Sequence, residues 1–146
     1  MGLQASKVLT ANDLGLNGTH QSGICVPRKA ALLEIFPPLN PELKNPRATL
    51  RMTAEPTGTE WEFHYIYYNN QFFGGTRNEY RLTRTTPFLR QVRAVVGDEI
   101  AFERLGRYNY RTWLLRENHA KDVLGFQFTK TGALILGGGW KVIDAR

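Results

Sequence analysis

The chain predicts a mainly β (α+β) domain, barrel-like, with one or two short helices and long connecting arms. Three observations carry that expectation. Apolar and polar residues alternate in several short runs rich in β-branched and aromatic side chains. Glycine, asparagine and proline fall between those runs at turn-like intervals. Helical periodicity is confined to one segment and a second, shorter candidate. At 146 residues the chain is expected to be a single domain with a core of its own, and its 42% hydrophobic content with 12% aromatics is that of a globular protein.

In chain order, Lys7-Val8-Leu9-Thr10 is expected as a strand, followed by a polar loop over residues 11–23 with His20 and Gln21 as its hydrogen-bonding tips. Loops of this length inside compact domains are uncommon and are often working arms. Ile24-Cys25-Val26 reads as a strand. Pro27 then opens a helix through Phe36, since proline suits a first turn, and Pro37-Pro38 stops it. Ala31, Leu32, Ile35 and Phe36 share one face of that helix and belong to the core. Residues 48–54, 61–68 and 80–83 alternate as strands of one antiparallel sheet. Pro87-Phe88-Leu89 begins a turn or helix, and Gly97-Asp98 turns between apolar runs at 95–104. Residues 109–116 form a further strand, with short strands at 125–129, 133–136 and 140–143 set apart by glycines.

Net charge is +6, and residues 71–93 hold Arg77, Arg81, Arg84, Arg90 and Arg93 against Glu79, five minus one, or +4 of it. A basic patch focused in this way favours a polyanion, nucleic acid before an anionic membrane. The single cysteine, Cys25, rules out an internal disulfide, and with His20, His64 and His119 scattered it leaves no zinc-ligand spacing. Met1-Gly2-Leu3-Gln4-Ala5-Ser6 fits a myristoylation pattern but lacks a second membrane signal. No apolar run suits a signal peptide or a bilayer span, so an intracellular location without a membrane partner is expected.

The stretch from Ile66 to Arg84 is chosen for recognition as much as for packing. It begins as a strand, breaks at Gly74-Gly75, and then crowds Arg77, Asn78, Glu79, Tyr80 and Arg81 together. Arginine forks guanine O6 and N7, asparagine does the same to adenine, and a carboxylate accepts from cytosine N4. Glu79 is telling, because a purely electrostatic surface would exclude it from between two arginines. The plainer alternative is an exposed strand whose charges pair with one another.

Two stretches bear a family resemblance. Residues 9–15 with His20-Gln21-Ser22-Gly23-Ile24, and Ile66-Tyr67-Tyr68-Asn69-Asn70 with residues 73–83, resemble the N-terminal effector-binding domain of EcoRII-type restriction endonucleases, in the same order and over most of the first 85 residues. The resemblance implies a B3-like DNA-binding pseudobarrel that grips duplex DNA in the major groove between an N-arm (about 11–25) and a C-arm (about 69–84), with CCWGG as target, W being A or T. It implies DNA contacts from His20 and Gln21 on the N-arm and from Thr76, Arg77, Asn78, Glu79, Tyr80, Arg81 and Arg84 on the C-arm. It also implies a bacterial cytoplasmic restriction–modification protein, in which residues 1–146 form the DNA-recognition domain and a separate nuclease domain lies beyond Arg146. Cys25 stands where that family has tyrosine, and Gly75 and Tyr80 where it has lysines. Lost lysines weaken phosphate contacts, which position a protein without specifying sequence.

Catalysis within the chain is not expected. Glu42-Leu43-Lys44 with Asp13 upstream resembles a nuclease carboxylate set, yet Glu42 lies in a proline-rich loop and Asp13 in an arm, whereas two-metal chemistry needs rigidly held carboxylates. Gly137-Gly138-Gly139 lacks the lysine and helix of a phosphate loop. No cofactor is therefore expected here, and magnesium belongs to the separate nuclease domain. Two other functions stay open: a transcription regulator of the same barrel class, and a single-strand or RNA binder stacking bases on Tyr65, Tyr67, Phe72 and Phe73. The two polar arms differ completely in composition, so a monomer on one duplex is expected rather than a two-fold dimer.

Overall fold

The computed structural model describes residues 2–16, 23–116, 133–135 and 138–144. Among the described residues nine strands form one sheet: β1 (Leu3–Val8), β2 (Ile24–Val26), β3 (Arg47–Ala54), β4 (Thr59–Tyr68), β5 (Glu79–Thr83), β6 (Glu99–Arg104), β7 (Asn109–Leu115), β8 (Ala133–Ile135) and β9 (Trp140–Asp144). Their order is β2-β5-β4-β3-β7-β6-β1-β9-β8, antiparallel except where β3 meets β7. The indole N–H of Trp140 on β9 donates to the carbonyl of Cys25 on β2 at 3.0 Å. The curled sheet thus meets itself through a side chain rather than a strand ladder, which makes it a pseudobarrel.

Alternation builds the interior. Leu50, Met52 and Ala54 of β3, Phe63 and Tyr65 of β4, and Ile100 and Phe102 of β6 turn inward and are buried, while Thr49 and Arg51 face out. Helix α1 (Ala30–Leu33) and the turn after it bring Leu32, Ile35 and Phe36 into the barrel. There Phe36 stacks on Tyr65 at 4.8 Å between ring centroids, and the Tyr110 hydroxyl donates to Ile35 O at 2.6 Å. Helix α2 (Thr86–Gln91) lies against the rings of Trp61 and Phe63 through Phe88, edge-on at 5.7 and 5.9 Å. No helix among the described residues is long and apolar enough to cross a membrane.

Several elements differ from the sequence expectation. Strand β1 lies at Leu3–Val8 rather than at residues 7–10. Thr10 instead opens a turn, its hydroxyl accepting from Asp13 N–H at 3.2 Å while its own N–H donates to the Asp13 carboxylate at 2.9 Å. The helix expected from Pro27 to Phe36 keeps only four α-helical residues, because Lys29 N–H folds back to Pro27 O at 2.9 Å and Ile35 N–H reaches only to Leu32 O at 3.1 Å. Val95 and Val96 are exposed, and the strand after the Gly97-Asp98 turn starts at Glu99. The strand expected at 125–129 lies outside the described residues.

Candidate nucleic-acid interface

Two loops flank strand β5. Tyr68 at the end of β4 pairs with Glu79, so the β4–β5 connection, the C-arm, leaves the first end of β5. Ile24 pairs with Leu82, so the chain arriving from the β1–β2 connection, the N-arm, joins at the opposite end. Four residue steps separate those ends, about 13 Å at strand rise. That span is close to the roughly 12 Å width of a B-DNA major groove.

The outer face between the arms carries Glu79, Arg81 and, directly across from Arg81, Cys25. Glu79 is the hub. Its carboxylate accepts from Arg77 Nη2 at 2.5 Å and Nε at 3.1 Å through one oxygen, and from Arg81 Nη1 at 3.5 Å through the other. Arg77 lays its guanidinium over the Tyr68 ring, 3.8 Å from the centroid, and keeps about a third of its side chain exposed (37%). Arg81 is almost enclosed, with 4% of its side chain exposed, and its Nη2 donates to Gly23 O at 3.2 Å. The charges expected at this strip are therefore assembled, but they also pair with one another, as the plainer reading of an alternating strand anticipated.

The remaining C-arm residues divide. Thr76 is exposed beside the strip, and Asn78 accepts from the Tyr67 hydroxyl at 2.6 Å. Tyr80 points to the other face, stacked between Tyr67 at 4.1 Å and Tyr65 at 5.5 Å, and burial raises its hydroxyl pKa, with Tyr67 adding to the rise. Arg84, at a positive φ of 61°, is exposed near Glu62, 3.7 Å from its carboxylate. His20 and Gln21 lie outside the described residues.

The break in the C-arm comes earlier than Gly74-Gly75. Strand β4 ends at Tyr68, and a 3-10 turn (Asn70–Phe73) follows, capped by Gly74 at φ 91°. Gly75 packs so closely that an added Cβ would lie 2.9 Å from the Asn70 side chain. Asn69, wholly buried, is the anchor: its amide oxygen accepts from Asn45 N–H at 2.7 Å, and its amide nitrogen donates to Leu43 O at 2.8 Å. The root of the N-arm is held comparably, by a buried ion pair between Lys7 and Asp13. Asp13 is therefore not part of a mobile arm as the sequence suggested; its carboxylate is committed to Lys7 and Thr10.

Sequence reasoning did not single out Asn69 or the Lys7–Asp13 pair as parts of the site, and it reached Cys25 only through the family resemblance, as a position where a tyrosine is replaced. Asn69 had a usable signal in the Asn-Asn dipeptide that follows a strand. That Cys25 lies opposite Arg81 had no signal in the residues themselves, since it follows from strand register. Of the aromatics considered as base platforms, Tyr65 is buried and Tyr67 is stacked on Tyr80, whereas Phe72 and Phe73 stand 65% and 44% exposed on the C-arm turn.

Known proteins share this fold. The UbaLAI restriction endonuclease B3 domain, solved with cognate DNA, superposes with a TM-score of 0.55 over 97% of this chain and 86% of its own, at 20% identity. The Arabidopsis FUS3–DNA complex gives a TM-score of 0.56 over 75% of this chain and 92% of that one, at 24% identity. Those two likenesses show the fold, a B3-like pseudobarrel. In sequence, the type II restriction enzyme EcoRII of Escherichia coli is 37% identical over 81 residues, 53% of this chain but 20% of that enzyme's length. The family model described as restriction endonuclease EcoRII, N-terminal, matches residues 4–91, more than half of the chain. That match runs from the second residue of β1 to the end of α2, and the chain belongs to the EcoRII N-terminal domain family.

Proposed function

We propose that this domain binds double-stranded DNA sequence-specifically, as the recognition or effector part of a type II restriction endonuclease. Its target is CCWGG, read in the major groove by two arms of one monomer. The observation that carries the reading is the Arg77–Glu79–Arg81 strip, set on the outer face of β5 between arms that leave its opposite ends. Arg77 and Arg81 supply planar donors for guanine, and Glu79 supplies an acceptor for cytosine N4. Thr76, Asn78 and Arg84 complete the C-arm contacts, and His20 and Gln21 those of the N-arm, whereas Tyr80, expected from the sequence as a contact, faces away from the strip between Tyr67 and Tyr65. The EcoRII relationship and the two structural relatives solved on DNA support this reading.

The domain itself leaves DNA uncut. Cleavage and its magnesium belong to a separate nuclease domain, since Asp13 is tied to Lys7 and Glu42 stands exposed in its loop. The setting is a bacterial cytoplasm. Binding across all single-base variants of a CCWGG-centred duplex tests the proposal. Alanine at Arg77, Glu79 or Arg81 is expected to reduce discrimination by about 1–3 kcal/mol. Equal losses on cognate and random duplex from all three variants would make them phosphate contacts instead. Native mass measurement should find one protein per short duplex, and two would remove the two-arm arrangement.

A further inference from the structure

The C-arm turn exposes two adjacent phenyl rings, Phe72 and Phe73, that the barrel does not use. The turn is braced from within: Gln71 N–H donates to Arg77 O at 2.8 Å, Phe72 N–H to Asn69 O at 3.0 Å and Gly75 N–H to Asn70 O at 2.7 Å. Asn69 then fastens it to the loop at Leu43 and Asn45. A turn held this firmly does not need its phenylalanines for folding. The bond from Gln71 to Arg77 also sets Phe72 one residue from the point where the turn meets the base-reading strip.

We infer that Phe72 and Phe73 read thymine C5-methyl groups on the major-groove face of the bound duplex. The inference rests on the DNA-binding reading above and adds an apolar component to it. Successive residues of a 3-10 turn project about 120° apart, so the two rings diverge and cannot enter one base step together. Diverging rings suit contacts with methyl groups, the one apolar feature a base pair displays in that groove. The local charge favours DNA over a protein surface as the occupant. Arg77, Arg81 and Arg84 stand against Glu79 in this arm.

The test uses a duplex selected by the protein itself from a randomised pool. Each thymine is replaced in turn by deoxyuridine, which removes the methyl and keeps every hydrogen bond. The wild-type protein should lose about fourfold in affinity at the thymine of the central A·T pair or at a thymine flanking the site, the worth of one buried methyl. Phe72→Ala or Phe73→Ala should lose as much on the thymine duplex and become indifferent to the replacement there. Both variants should melt as the wild type does, because the rings are exposed. Costs of variant and replacement that multiply independently would overturn the inference. So would a Phe72→Ala/Phe73→Ala protein that binds every duplex like the wild type, an outcome that assigns the rings to a protein partner. A pool that yields no preferred sequence fails differently, since it defeats sequence-specific binding itself.

Discussion

Arg81 donates from Nη2 to the carbonyl oxygen of Gly23 at 3.2 Å, joining the middle of β5 to the root of the N-arm. The contact exists because Gly23 runs against β5 with φ at +85°, where a Cβ would lie 2.0 Å from Leu82 O. Neither the conformation nor the space admits a side chain.

Gly23→Ala should therefore destabilise the domain by more than about 2 kcal/mol, because backbone strain and a collision with a backbone oxygen coincide. Urea unfolding followed by tryptophan fluorescence reads this directly. An unchanged midpoint would mean that β2 can move away from β5 without cost.

Arg81→Lys keeps the charge and removes the fork. A lysine cannot span Gly23 and Glu79 as a guanidinium does. Discrimination between target and random duplex should fall by about 1–3 kcal/mol, while the salt dependence of binding, set by the number of phosphate charges neutralised, stays the same. An equal loss of affinity on target and random duplex would show Arg81 acting on a phosphate instead.

Glu79→Gln releases Arg77 and Arg81 from their shared carboxylate. Binding to random duplex should tighten, since one negative charge leaves a surface that meets phosphates. Specificity should fall at one C·G pair of the site. Uniform tightening with no loss at any position would reduce Glu79 to a tether for the arginines.

Cys25 is an exposed residue, yet its thiol lies across from Arg81 against the strand surface, and the desolvation there raises its pKa above the ordinary value while the Arg81 charge works against the rise. A raised pKa means less thiolate at a given pH, so iodoacetamide should label Cys25 more slowly at pH 8 than it labels a free cysteine, with the rate still climbing beyond pH 9. Specific duplex should protect the thiol. Labelling as fast at pH 8 as that of a free cysteine would show that the thiol's pKa is not raised.

Much of this architecture was legible in the sequence because alternation survives wherever one strand face is buried. Residues 48–54 and 61–68 read as strands and form β3 and β4. The first strand was misplaced because Ser6 and Lys7 are both buried, the lysine by its pairing with Asp13, so polar residues stand where the pattern calls for apolar ones. The short first helix was overextended because apolar spacing does not reveal where backbone bonds tighten to three-residue turns. At the site, residue type located Arg77, Glu79 and Arg81, but not that Arg81 lies enclosed or that Tyr80 turns to the opposite face. Both depend on pairing between strands distant in the chain.

The C-arm runs into β5 and the N-arm into β2, which is paired along β5, and β5 is five residues long. A pleated strand hardly stretches, so β5 acts as the bar of a caliper whose jaws are the two loops. Under the proposed function, residue changes in the jaws alter which bases are felt, while the opening between them stays set by the bar. A family built on this bar can diversify its targets by rewriting loops, provided that each target fits the same gauge; a longer site calls for a second caliper rather than a wider one.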